Sequence, residues 1–280
     1  MYGNIDGYFI MGLSSNVLWH QTNKKELLSI LKSRKLYFSY SLENLLASEN
    51  FKGIAFPMIS LCDLPLSEFG EGKWAYGNYA IGLSRDWGMK KGFNPVCYCH
   101  QGSDYLQKML DKLNSSVVTG DVTLLEEALF PFAYMKLVEG PLPRKHFAKY
   151  RFYDEKEIRL VPYKESIVGF APFLIDDQYE KYKKDMGNSL LGKLGVDFMY
   201  SDIRYILVEN EKGRNQVQLL LSNRNVDINQ IVILTKQEVL GDIVGNNHNE
   251  ELPIIRHNSF KVSDLAKKVA EDYFNKNRGR

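Results

Sequence analysis

The sequence predicts a single α+β domain, a mixed sheet with a block of helices inserted in its middle. Strand-like and helix-like stretches do not alternate regularly along the 280 residues, as a doubly wound parallel sheet would require. The densest helical patterning, at about 102–140, interrupts a chain that is strand-rich on either side. On this reading one domain spans 1–280 and closes with an amphipathic helix at about 261–276.

The first strand, Leu18-Trp19-His20-Gln21-Thr22, runs straight into a helix over Asn23–Arg34. Asn23 followed three residues later by Glu26 has the form of a capping box, and Leu27, Leu28, Ile30 and Leu31 make the apolar stripe behind it. Leu36–Tyr40 reads as an aromatic-rich strand, with Ser41 capping a short helix to Ala47. Gly53–Cys62 is strand-like, and Pro57 confines it to an edge or a bulge. Tyr79–Leu83 is a strand, Ser84 caps a short helix, and Pro95–Tyr98 is extended. Helices come next at Tyr105–Leu113 and Val122–Val138 and stop at Gly140-Pro141-Leu142-Pro143, the clearest internal break. Beyond it, Lys156–Pro162 is a strand and Tyr179–Leu194 a helix. The strands Tyr205–Glu209 and Gln230–Leu234 flank a helix at Gly213–Ser222.

Composition narrows the function. The chain is 44% apolar and 25% charged, as ordinary globular proteins are, and no apolar run is long enough to cross a bilayer. Three cysteines, Cys62, Cys97 and Cys99, without Cys-x-x-Cys spacing argue against a disulfide framework or a structural zinc, and fit a reducing cytoplasm. A net charge of +2 implies no polyanionic partner by itself. Basic and aromatic residues do interleave at Arg144-Lys145-His146-Phe147 and Lys149-Tyr150-Arg151-Phe152, which suits either single-stranded nucleic acid or a solvated loop. Dinucleotide, P-loop, hydrolase-elbow and paired-histidine metal motifs are absent from the sequence.

Two groups of residues are left to carry chemistry. His20 and Thr22 bring an imidazole and a hydroxyl to the start of a helix, a corner suited to a ribose and an amide. Glu155-Lys156-Glu157-Ile158-Arg159 alternates, so on a strand Glu155, Glu157 and Arg159 share one face. Together they point to a nucleotide, with NAD the expected one. Asp63 with Glu155 and Glu157 around a Mg²⁺ ion is a further reading.

Trp19-His20-x-Thr22 followed by Leu27-Leu28-x-Ile30-Leu31-Lys32 resembles the opening of ADP-ribosyltransferase-like toxins of the His-Tyr-Glu type. It is also similar to the abortive-infection AbiGi family of phage-resistance proteins. That likeness continues through Phe56-Pro57-Met58, Leu61–Ser67, Tyr76–Gly88 and Glu155–Leu160, about Val17 to Pro162 in all. The transferase resemblance implies a split β-sheet core with NAD in the cleft. His20 would bond a ribose hydroxyl beside Thr22, the backbone at Gln21 would hold the nicotinamide amide, and Tyr40, or else Tyr37, would stack on the ring. Glu157 would stabilise the oxocarbenium-like cation, Glu155 would be the general base for a nucleic acid or nucleotide acceptor, and Arg159 would meet the pyrophosphate. Where many such transferases carry a serine-rich third strand, this chain has the single hydroxyl of Ser60. The AbiGi resemblance implies a second role, a non-catalytic antitoxin that masks a cognate toxin.

Overall fold

Asn23 ends the first strand and starts the first helix, because its side chain accepts the Glu26 N–H at 3.0 Å. β1 (Val17–Thr22) therefore turns directly into α1 (Lys24–Ser33), whose stripe of Leu27, Ile30 and Leu31 is buried. The computed structural model describes residues 15–46, 53–69, 76–142, 147–162, 170–185 and 193–242. The expected C-terminal helix at 261–276, Trp74-Ala75 and Arg144-Lys145-His146 lie outside these residues.

The expected strand at Leu36–Tyr40 is two strands, β2 (Lys35–Tyr37) and β3 (Ser39–Glu43). The expected cap at Ser41 is not used. β3 keeps pairing with β4 (Ile54–Cys62) as far as Glu43↔Ile54, and one 3₁₀ turn comes after it at Asn44–Leu46. Pro57 sits where β4 passes from β12 (Leu174–Ile175), paired at 54–55, to β11 (Glu157–Leu160), paired at 59–62. It occupies the gap between these two partners, where a missing N–H costs least.

β5 (Tyr79–Ser84) leads into α2 (Arg85–Lys90), and Ser84 caps that helix as expected. β6 (Asn94–Pro95) and β7 (Cys97–Cys99) are short. The inserted helices are α3 (Asp104–Thr119) and α4 (Val122–Leu129). The helix expected to reach Val138 ends early, since Pro131 falls in a 3₁₀ stretch at Phe130–Tyr134 and is succeeded by β8 (Met135–Leu137), parallel to β7. Gly140-Pro141 is no break either, for β9 (Glu139–Leu142) pairs with β10 (Phe147–Arg151). α5 (Asp176–Asp185) precedes β13 (Gly195–Asp197), which pairs with β2. The remainder runs through β14 (Ile203–Val208), α6 (Glu211–Ser222), β15 (Val232–Thr235) and α7 (Lys236–Asp242).

The architecture is α+β, as expected. The main sheet runs β15-β14-β5-β1-β4-β11-β6, with β3 and β12 also on β4. Its strands are antiparallel except for the β14–β15 pair joined through α6. Strand pleating sends alternate residues to opposite faces. On one face Leu18, Ala55, Ile59, Leu61, Ile81 and Ile158 pack under α1 and α6. On the other, Ile54, Phe56, Met58 and Val161 pack with α3 and α4, and Trp19 packs with Leu64 and Phe69. Among the described residues no helix is long and apolar enough to cross a membrane.

Candidate functional site

Register decides which candidate residues can meet. Trp19, Cys62 and Glu157 lie in one row across β1, β4 and β11. Residues in a row share a face, so Glu157 projects on the Trp19 side and His20 on the other. The core partners agree. Leu18, two residues before His20, packs in the core under α1, and so does Tyr40. Arg159, two residues after Glu157, reaches Ala133 and Met135 on the opposite side. The expectation of one cleft shared by His20, Tyr40 and Glu157 is therefore corrected. The sheet itself lies between them.

His20 has a local task. β1 and β4 pair at a single position, Trp19↔Cys62, and beyond it the strands part. The imidazole Nδ1 lies 3.2 Å from the Ser60 carbonyl oxygen, in donor range across the parting strands. Burial lowers its pKa, against the pull of Ser60 and Glu26, so the ring is held neutral. Gln21 accepts the Tyr76 N–H through Oε1 at 3.4 Å, and Thr22 is buried. Their neighbour Gly77 has φ 146°, and a Cβ there would stand 2.0 Å from the Thr22 carbonyl oxygen. Only glycine lets the chain double back this closely.

The tyrosines are placed away from Glu157. The Tyr40 hydroxyl donates to the Ala171 carbonyl at 2.5 Å, and its ring meets Tyr182 edge-on with centroids 4.8 Å apart. Tyr37 is exposed on β2.

What the structure does assemble is a buried ionic cluster on the second face. Arg159 is 0% exposed and Glu157 5%. The Arg159 Nε and Nη2 donate to the two oxygens of Glu157 at 2.8 and 3.0 Å, and Nη2 also reaches Glu43 Oε1 at 2.5 Å. Lys136 Nζ donates to Glu157 at 2.7 Å and Glu155 at 3.0 Å, and lies 4.8 Å from the Phe152 ring centre. Tyr76 donates to Glu155 Oε1 at 2.5 Å, and Tyr150 bonds the same carboxylate. The Glu157 N–H donates to the Tyr98 hydroxyl at 2.7 Å. Glu155 is not on the strand as expected. It ends a 3₁₀ turn, and Lys156 takes a left-handed φ of 45° before β11 begins. Both glutamates still reach Lys136.

Sequence reasoning missed Lys136 and Glu43, and it placed Tyr76 in the family likeness without a bond to Glu155. Lys136 and Glu43 fell within expected helices that are strands here. Pro131 was the signal that could have ended the first of those helices. The Mg²⁺ reading is not assembled either, since Asp63 holds Arg85 at 2.5 Å and accepts the Ser15 N–H at 3.1 Å. Around β10, Lys149 pairs with Glu139 and Arg151 with Asp154.

Charge in the cluster is uneven, with two cations against Glu43, Glu155 and Glu157. Burial would raise Glu157, but the adjoining Arg159 and Lys136 overcome it and hold its carboxyl well below the usual 4.5. Glu43 meets one cation directly, so burial wins and its pKa rises. Burial would lower Lys136, but Glu157 and Glu155 push it well up.

The two signs predict a pH profile. Glu157, depressed on folding, contributes stability above about pH 4.5 that is lost as pH falls below it. Glu43, raised on folding, favours the fold when protonated and costs stability as pH rises through its folded value. Denaturant midpoints are expected to fall below about pH 4.5 and also to decline as pH rises above it. Glu43→Gln should flatten the upper decline alone. A Glu43→Gln profile that overlays wild type removes this assignment.

The described residues also line a partly open cavity of about 320 Å³, beneath α4 rather than between His20 and Glu157.

Fold and cluster together define an α+β protein whose conspicuous polar centre is internally satisfied. The chain belongs to the AbiGi family, because a family profile described as "Putative abortive phage resistance protein AbiGi, antitoxin" matches residues 29–209. It is similar to the abortive phage resistance protein AbiGi of Lactococcus lactis subsp. cremoris, 27% identical over 212 residues, which cover 65% of this chain and 84% of that protein. Among solved structures it is similar to Thermus sp. 2.9 DarT in complex with NAD+, at 12% identity and a TM-score of 0.32, covering 80% of this chain and 96% of that one.

Proposed function

We propose that this chain is the non-catalytic, partner-binding component of a phage-defence pair, acting in the cytoplasm by masking a cognate toxin. One observation carries the reading. The acids that would serve as catalyst and base, Glu157 and Glu155, are buried and occupied by Lys136, Arg159, Tyr76 and Tyr150. The candidate ribose ligand, His20, faces the other side of the sheet. A carboxylate has about four lone-pair sites, and each of these glutamates already accepts three bonds. The antitoxin description of the family profile fits the same role. Cys62, Cys97 and Cys99 form no disulfide, which is compatible with a reducing compartment.

The test has two arms. Purified chain incubated with labelled NAD and RNA, DNA or lysate is expected to consume no NAD and transfer no label. Co-expression with the toxin encoded beside it is expected to restore growth. NAD loss that vanishes in Glu155→Gln overturns the reading. So does failure to rescue growth at equal expression.

A second reading, the NAD-dependent ADP-ribosyltransferase acting on nucleic acid, keeps one observation in its favour. β1 and β4 part after Trp19↔Cys62, leaving a split beside His20, Gln21 and Thr22 of the kind that a nicotinamide amide would enter. Calorimetric NAD binding by wild type that is lost in His20→Ala would favour it.

A further inference from the structure

We infer that the cavity beneath α4 is the anchor pocket for the partner, and that it takes an aromatic or long aliphatic side chain with a Lys or Arg close by in the partner's sequence. This inference rests on the partner-binding reading above and deepens it.

Three features select that occupant. The wall is mostly apolar and carries four aromatic rings, those of Phe56, Phe130, Phe170 and Phe173. A volume of about 320 Å³ stands at the bottom of the range for small-molecule sites, so it suits an inserted side chain better than a dinucleotide. Glu126 and Glu127 line the same cavity from α4, half-buried and exposed respectively, and set negative charge at its solvent side. An incoming anchor therefore gains most if a cation accompanies it.

The surroundings fit a protein surface. Phe130, in the cavity wall, is 40% exposed, and Leu124, on the helix that carries Glu127, is 43% exposed. Apolar side chains grouped at the surface mark interaction sites, and interface energy concentrates where an anchor fills a pocket ringed by weaker contacts. The pocket floor is also firm. The Ala133 carbonyl, at the cavity wall, accepts from Arg159 Nη1 at 2.8 Å, so the ionic cluster braces it from behind.

The probe is a phage-displayed library of random twelve-residue peptides, selected against the full chain. Enriched peptides are expected to carry an aromatic or aliphatic residue within four positions of Lys or Arg. Their affinity should fall at least tenfold in Phe130→Ser and in Glu127→Lys, with wild-type unfolding midpoints for both variants. Acidic peptides, no enrichment, or peptides indifferent to both variants would overturn the inference. Two further outcomes would also overturn it. One is a dimer in light scattering that Phe130→Ser dissolves, which makes the occupant a second copy. The other is a small molecule that co-purifies in native mass spectrometry and is lost in the same variant. Growth rescue that persists in both pocket variants sinks the pocket but leaves the proposed function standing, whereas failure of wild-type rescue sinks that function first.

Discussion

Arg159→Ala is expected to cost about 3–5 kcal/mol of stability, because it strands a buried carboxylate rather than merely deleting a bond. Arg159 is fully buried and holds Glu157 and Glu43 together. Without it the cluster keeps one cation, Lys136, among three acids. Replacing only Glu157 by alanine is expected to cost a similar amount, so loss of function in that variant cannot by itself be read as loss of a catalyst. A combined Glu43→Met, Glu157→Leu, Arg159→Met variant leaves the Lys136–Glu155 pair intact and is expected to regain much of the loss, since buried ion pairs replaced by apolar side chains are often neutral. Urea denaturation reads both effects. An Arg159→Ala unfolding free energy within about 1 kcal/mol of wild type would mean that these side chains do not form a buried network.

Trp19→Ala is expected to cost about 3–5 kcal/mol by a different mechanism, an unfilled cavity. The indole is 1% exposed and donates to the Leu64 carbonyl at 2.8 Å. Its ring lies 4.8 Å from Phe69 and 5.7 Å from Tyr205, centre to centre. In a domain of this size each kcal/mol lowers the melting temperature by about 2–4 °C, so a fall of roughly 6–20 °C is expected. Trp19→Phe should lose less, keeping most of the packing while orphaning the Leu64 carbonyl. Equal losses in the two variants would assign the cost to that hydrogen bond alone. A shift under about 3 °C in Trp19→Ala would mean that this core is not closed around the indole.

Expectations held where a local signal stood alone. The caps at Asn23 and Ser84 were legible because a short polar side chain that satisfies a helix start acts over three residues. They failed where tertiary pairing competed with propensity. Ser41–Glu43 reads as a helix start, yet it is strand because β4 offers partners as far as Glu43↔Ile54. Met135–Leu137 continues a helical pattern, yet Pro131 interrupts that helix and β7 captures Met135–Leu137 as a strand. Those two misreadings hid Glu43 and Lys136, the charged members of the cluster that lie far from residues 155–159 in the chain.

By itself the sequence determined the α+β class, the β1–α1 corner, the candidate acids and the resemblance to the AbiGi family. Each of these is a sum of local signals, none of which requires knowing which strand pairs with which. Only the tertiary structure decided that His20 and Glu157 face opposite ways, and that both buried glutamates are held by cations, half-buried Lys136 for the pair and buried Arg159 for Glu157. The reason is the two-residue period of a strand. Which face a side chain takes, relative to a distant strand, depends on pairing register, and register is set by partners far away in the chain.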